Sequence, residues 1–178
     1  MKMTASHAQA IASNGSGLKT YILEKLVDKY SSAEKEIYSN EHMERGNELE
    51  GQARSLYWLE TGKEVQEVGF CELDEYTGCS PDGMIGEKGL IEIKCPTDKN
   101  FLKLLIEKKI SSSYVWQMQM QMYVTGRKWC DFVAYCPNFE KSFYIERVEA
   151  DIEKFDKIKE GLAEGRELIK KYIKMYEG

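Results

Sequence analysis

Apolar and polar positions along this chain follow two periods, one near 3.6 and one of 2, and the switches between them mark out its elements. The opening, MKMTASHAQAIA, reads as a short helix started by Thr4 or Ser6. Asn14-Gly15-Ser16-Gly17 breaks it, and Leu18 to Tyr30 follows as an amphipathic helix with Leu18, Ile22, Leu26 and Val27 on one side. Asn40 to Thr61 predicts a long helix, capped by Asn40 and stopped by Gly62, with Met43, Leu49, Ala53, Leu56, Tyr57 and Leu59 as its buried stripe. The period then falls to two. Glu67 to Leu73 reads as a strand with Val68, Phe70 and Cys71 apolar, ending in the turn Asp74-Glu75-Tyr76-Thr77-Gly78. In Gly-Leu-Ile-Glu-Ile-Lys, Ile91 and Ile93 point one way and Glu92 and Lys94 the other.

Asn100 to Lys109 predicts a helix with Phe101, Leu104 and Leu105 inward and Lys99, Lys103 and Lys108 outward. The Gln-Met alternation within Ser113 to Thr125 mimics a strand, but its β-branched content is low and Gln and Met favour helix. As a helix it sets Gln117, Gln121 and Val124 on one side and turns Gln119 away. Trp129 to Cys136 and Phe143 to Val148 read as strands joined by a turn at Pro137-Asn138. Asp151 then caps a helix to about Tyr176, with Phe155, Ile158, Leu162, Ile169, Tyr172 and Tyr176 on one face and an interruption at Gly165. That face has to pack on the body or on another subunit. These elements predict an α/β fold, a central mixed sheet flanked by helices, and 178 residues suit one domain.

Composition narrows the function classes. No apolar run approaches the roughly 20 residues a bilayer span needs, and the start lacks a signal-peptide pattern, so a cytoplasmic protein is expected. Cys71, Cys79, Cys95, Cys130 and Cys136 form no CxxC pair and leave an odd count, which reads as buried thiols rather than a disulfide framework or an iron-sulfur cluster. With only His7 and His42 present, a histidine-rich zinc site is not expected. The net charge of −5 runs against nucleic-acid binding, but its distribution does not. Acids outnumber bases ten to three from Glu41 to Glu75, and bases outnumber acids eight to three from Lys88 to Lys128. Such an imbalance predicts a basic face near the ribbon of residues 79–96, or else two merely solvated faces.

That ribbon, CSPDGMIGEKGLIEIKCP, carries the chemistry. Asp82 sits at a turn between Ser80-Pro81 and Gly83; Gly83, Gly86 and Gly89 allow a hairpin that folds it back beside Glu92. Two acids at close range raise each other's pKa unless a cation lies between them. Mg²⁺ suits such a place, since it takes oxygen ligands at roughly 2.1 Å and is usually held by one or two carboxylates plus phosphate oxygens. The Ile93 carbonyl offers a further oxygen, and Lys94 is placed to orient or deprotonate an attacking water. An ordinary hairpin with a solvated Glu/Lys face is the plainer reading of Glu-x-Lys alone.

Asp82, Glu92 and Lys94, in the order SPDG, GLIEIK, CP, resemble the PD-(D/E)xK nucleases and, more narrowly, the lambda exonuclease and YqaJ-type phage recombination nucleases, from about Thr4 to about Pro137. The resemblance implies a restriction-endonuclease-like core and a Mg²⁺-dependent deoxyribonuclease, with Mn²⁺ as a possible substitute. It adds Glu50, at the end of Gly46-x-x-x-Glu50 and ahead of Ala53-Arg54, as a further metal ligand; otherwise Glu50 and Arg54 form a routine surface pair. It makes Ser80, Gln117 and Ser6 phosphate-binding residues, where Ser6 is otherwise a helix cap and Gln117 a rim residue of a core helix. The family also carries an arginine seven residues ahead of this serine, a position before Met1. The resemblance further implies 5′-to-3′ digestion of one strand of a linear duplex, release of mononucleotides, a ring-shaped homotrimer and cooperation with a single-strand annealing protein. An endonuclease of the same fold and a non-cutting DNA-binding module are the alternatives.

Overall fold

The molecule is described by a computed structural model covering residues 1–33 and 40–178. Its centre is β6, Trp129–Tyr135, which is buried from Cys130 onward because apolar layers cover both faces. β6 lies in a four-stranded sheet of order β4-β5-β6-β7, with β4 at Gly83–Ile85, β5 at Gly89–Lys94 and β7 at Phe143–Glu149. β5 runs parallel to β6, pairing Glu92 with Phe132, while β4 and β7 are antiparallel to their neighbours. A parallel pair needs a long crossover. Helices α4 (Asp98–Glu107) and α5 (Ser112–Thr125) supply it.

Alternation along β5 and β6 then sorts side chains between two layers. Leu90, Cys130, Phe132 and Ala134 pack with Phe101 of α4 and Met118 and Met122 of α5. Ile91, Ile93, Val133 and Tyr135 pack with Ala53 and Tyr57 of α3, Asn40–Thr61. A third apolar layer joins α1 (Ala8–Ser13), α2 (Ser16–Tyr30) and α6 (Ile152–Glu177) around Ile11, Leu18, Ile22, Ile158, Leu162 and Ile169. The apolar face of α6 is therefore covered by its own chain from Ile158 to Ile169.

Several expectations are corrected. The strands form two sheets rather than one, because β1 (Met3–Thr4), β3 (Thr77–Cys79) and β2 (Cys71–Asp74) make a separate sheet of order β1-β3-β2. Met3 and Thr4 pair in parallel with Thr77 and Gly78, so the first helix starts later, after a 3₁₀ turn at Ala5–His7, and neither Thr4 nor Ser6 caps it. The predicted strand from Glu67 survives only from Cys71; Phe70 is exposed, and Gln66 bridges Met84 instead. Val27, Leu59 and Tyr176 are exposed. Val27 lies about 100° around the helix from Leu26, and Leu59 about 200° from Tyr57, which turns both toward solvent. The strand β6 ends at Tyr135, one residue short of the predicted Cys136, whose backbone N–H donates to the Ser142 carbonyl; the chain turns at Pro137-Asn138 as expected. The places predicted for the Asn40 and Met43 side chains lie outside the described residues.

Candidate active site

Register brings the two acids of the ribbon together. Gly83 pairs with Ile91, so one further antiparallel step sets Asp82 opposite Glu92. The reversal passes through Gly86, whose φ of +53° lies in the left-handed region where glycine carries no steric penalty. Asp82 accepts a hydrogen bond from the Ile93 backbone N–H at 2.7 Å. Glu92 falls on the α5 side of β5, where it is 1% exposed. A buried carboxylate needs partners, and α5 and β5 supply three. Gln117 Nε2 donates to Oε1 at 2.7 Å, Gln121 Nε2 to Oε2 at 2.8 Å, and Lys94 Nζ lies 2.5 Å from Oε1. The Lys94 ammonium also sits 5.0 Å from the centre of the Tyr114 ring.

The electrostatics follow from this crowding. Burial, then the Glu92 charge, push Asp82 up to about 7 against the opposing pull of the Ile93 N–H and Lys94. Burial works to lower Lys94, but the charge and hydrogen bond of Glu92 outweigh it and hold the ammonium above its ordinary range. Glu50 of α3 is raised by burial and by the Asp82 charge, with Arg54 opposing. Arg54 grips Glu50 at 2.8 Å and Glu67 at 2.7 Å. Among the described residues, no three His, Cys, Asp or Glu side chains gather closely enough to hold a metal ion by themselves.

The structure thus brings together Asp82, Glu92, Lys94 and Gln117, and sets Glu50 within electrostatic reach of Asp82 and Lys94. Ser80 is exposed on the segment leading into Asp82. Ser6 is exposed too, with its hydroxyl on Thr4 and on Nδ1 of His7, while the turn that carries it packs against α5. Sequence reasoning left out Gln121 as a site residue. Its signal was the four-residue spacing from Gln117, which stacks the two amides on one helical face. Beside Lys94 opens a cavity of about 500 Å³ lined by Asn100, Lys103, Lys109, Ser112, Tyr114 and Phe132 among others. The five cysteines form no disulfide, and burial pushes the Cys79 thiol up to about 12 and the half-buried Cys95 to about 11, away from thiolate reactivity.

Residues 1–128 match the model of the YqaJ-like viral recombinase domain. The chain belongs to that family. Solved structures agree with the assignment. LHK-Exo, an alkaline exonuclease from Laribacter hongkongensis, matches in its complex with dAMP at 33% identity and a TM-score of 0.88, over 98% of this chain and 91% of that one. A second structure of the same exonuclease matches at 34% identity and a TM-score of 0.81, over 98% and 92% of the two chains. A phage-related exonuclease from Haemophilus somnus 129PT shares the fold at 17% identity and a TM-score of 0.76, over 99% and 96% of the two chains. Comparison with the curated proteins gave no match. The fold is that of the alkaline exonucleases, and membership of the YqaJ-like family makes this a nuclease of that type.

Proposed function

We propose that this YqaJ-type nuclease is a Mg²⁺-dependent exodeoxyribonuclease that digests one strand of linear double-stranded DNA from 5′ to 3′. The product would be 3′ single-stranded tails for recombination by strand annealing. The observation that carries the reading is the adjacency of Asp82 and Glu92 across the hairpin, with Lys94 and Gln117 on the same carboxylate. The donor set fits a hard divalent cation: the buried Glu92 and the half-buried Asp82 stand side by side with Lys94 paired to Glu92, and burial and the Glu92 charge drive Asp82 toward its neutral form. Asp82, Glu92, the Ile93 carbonyl and Glu50 would hold the ion, with Mn²⁺ able to substitute. When bound, Mg²⁺ supplies Lewis-acid activation of the phosphodiester and neutralises charge developing there.

The chain's own residues do the rest. Lys94 is an ammonium held up by Glu92, which suits it to orient the attacking water and to donate to a phosphate oxygen. Gln117 reaches the same carboxylate with its amide and can donate to a phosphate instead. Ser80 and Ser6, both exposed hydroxyls, would position phosphates at the DNA end. The likeness to the alkaline exonucleases supports DNA as substrate, and the resemblance to lambda exonuclease supports a homotrimer and a single-strand annealing partner.

End-labelled linear duplex and closed circular DNA, each with Mg²⁺ and with EDTA, test the reading. Stepwise loss of label from 5′ ends of the linear duplex alone, abolished by EDTA and by Lys94→Ala, is the expected result. Cutting of the circle would point to an endonuclease, and undiminished turnover by K94A would refute the assignment of Lys94.

A further inference from the structure

The two amides on Glu92 are not equivalent. α5 sets Gln117 and Gln121 one turn apart over β5, so that between them they engage both carboxylate oxygens. Oε1 is shared by Gln117 and Lys94, side chains that both reach solvent. Oε2 is bonded by Gln121, which is 0% exposed. Gln121 lies among Met118, Met120 and Met122, all fully buried, on a stretch where a further methionine would pack without burying a polar group. Its own Oε1 is buried with no hydrogen-bond partner. A buried amide that leaves its carbonyl orphaned is costly. The bond to Glu92 is the compensation the structure offers for it.

We infer that Gln121 is a positioning residue that fixes Glu92 from the interior, leaving Gln117 and Lys94 as the exchangeable partners on the opposite oxygen. The inference rests on the reading of Glu92 as a ligand for a divalent ion. A donor that locks one oxygen restricts rotation of the carboxylate and keeps the other oxygen aimed at the site, as outer partners of metal-binding side chains do. When Oε1 is engaged elsewhere, Gln117 is released toward the DNA phosphates while Gln121 stays. Gln121 touches neither substrate nor ion and acts through Glu92.

The test uses the full chain and Mn²⁺ as the probe, binding being followed by electron paramagnetic resonance without DNA and turnover being followed separately. Gln121→Met should weaken Mn²⁺ binding roughly ten- to hundredfold and lower kcat, with KM for DNA held within about twofold. Gln117→Met should do the reverse, raising KM for DNA while Mn²⁺ affinity stays within about twofold. If Q121M does not fold, as judged by thermal melting, Gln121→Asn carries the comparison, since it keeps the amide but withdraws it by one methylene. A folded variant at position 121 with wild-type Mn²⁺ affinity and kcat would overturn the inference and leave the function reading intact. Wild-type protein that binds no Mn²⁺, or turns over equally well in EDTA, would overturn both.

Discussion

Asp82 accepts the backbone N–H of Ile93 at 2.7 Å, which ties the loop acid to the strand residue immediately after Glu92. The bond favours the charged carboxylate, yet burial and the Glu92 charge outweigh it and raise Asp82 from its ordinary 3.8 to about 7. A carboxyl raised on folding contributes stability that is present below about pH 4 and is lost as pH rises through about 7. Metal-free protein should therefore lose melting temperature between pH 5 and pH 8 through this group. Asp82→Asn keeps an oxygen for the Ile93 N–H and removes the charge. It should flatten that slope and stabilise the metal-free protein at pH 8 by on the order of 1–3 kcal/mol, several degrees in Tm. Turnover should fall at least about a hundredfold, since even outer partners of metal ligands cost ten- to hundredfold. Calorimetry across pH in EDTA checks the first part, and an unchanged slope in D82N would contradict it.

A second buried acid lies on the other face of the same sheet. Asp131 of β6, 3% exposed, accepts Tyr57 Oη at 2.7 Å and two Arg147 bonds at 2.7 and 2.9 Å. Tyr57 is on α3, the helix that also carries Glu50, so this bond fastens that helix to the sheet. Tyr57→Phe should cost about 1–3 kcal/mol, because Asp131 loses one of its partners without a cavity being opened. Arg147 still holds the carboxylate, so kcat well below the melting transition should stay within about threefold of wild type. Urea titration and initial rates on linear duplex measure the two effects; a large loss of rate without loss of stability would show that Asp131 has a part in the site.

The convergence of Asp82, Glu92 and Lys94 was legible because a period of two and a glycine-bearing turn leave little freedom: once Gly83 faces Ile91, Asp82 must face Glu92. Helices α3 and α6 were legible from their apolar stripes, and α5 from the low β-branched content and the helix preference of Gln and Met, against an alternation that mimics a strand. The second sheet was not. Met3-Thr4 and Thr77-Cys79 are too short to show a period, and their pairing is set by tertiary contact alone. The Arg54 clamp on Glu67 and the Gln121 bond to Glu92 also escaped, since each joins residues whose proximity depends on how a helix is laid on the sheet. Gly165 read as an interruption of the last helix, yet that helix runs through it, and the glycine admits Met3 rather than breaking the turn.

Glycine at position 161 lets the backbone of α1 come close against α6. A Cβ there would lie 1.9 Å from the Ile11 carbonyl oxygen, a backbone atom that no rotamer change can move. At Gly165 the clash would be with Met3 Sδ at 2.5 Å, the far end of a flexible side chain. The two alanine variants should therefore differ despite identical chemistry. Gly161→Ala has to separate two helices and should cost about 3 kcal/mol or more, whereas Gly165→Ala should cost about 1–2 kcal/mol as Met3 repacks. Helix propensity favours alanine equally at both positions and so drops out of the comparison. Equal losses in denaturant titration would mean that α1 can shift as easily as the Met3 side chain.

The cavity beside Lys94 is lined largely by the basic stretch of residues 88–128. Lys103 and Lys109 line it together with Asn100 and Ser112, over an apolar floor that includes Phe132 and Tyr114. Lys103 lies 3.9 Å from Glu107, a loose and exposed pair that leaves most of its charge available. Lys99 and Lys108, which the helical pattern turns outward together with Lys103, are exposed and do not line the cavity. If DNA passes here, each lysine that meets a phosphate releases about one counterion. The double variant Lys103→Ala/Lys109→Ala should raise KM for duplex DNA and reduce the slope of log affinity against log salt by about one to two, with kcat at saturation unchanged. The corresponding Lys99→Ala/Lys108→Ala variant should leave that slope nearly as it is. Binding isotherms at several salt concentrations, taken in Ca²⁺ to prevent cutting, decide the matter, and equal slopes in the two double variants would remove the cavity from the path of the DNA.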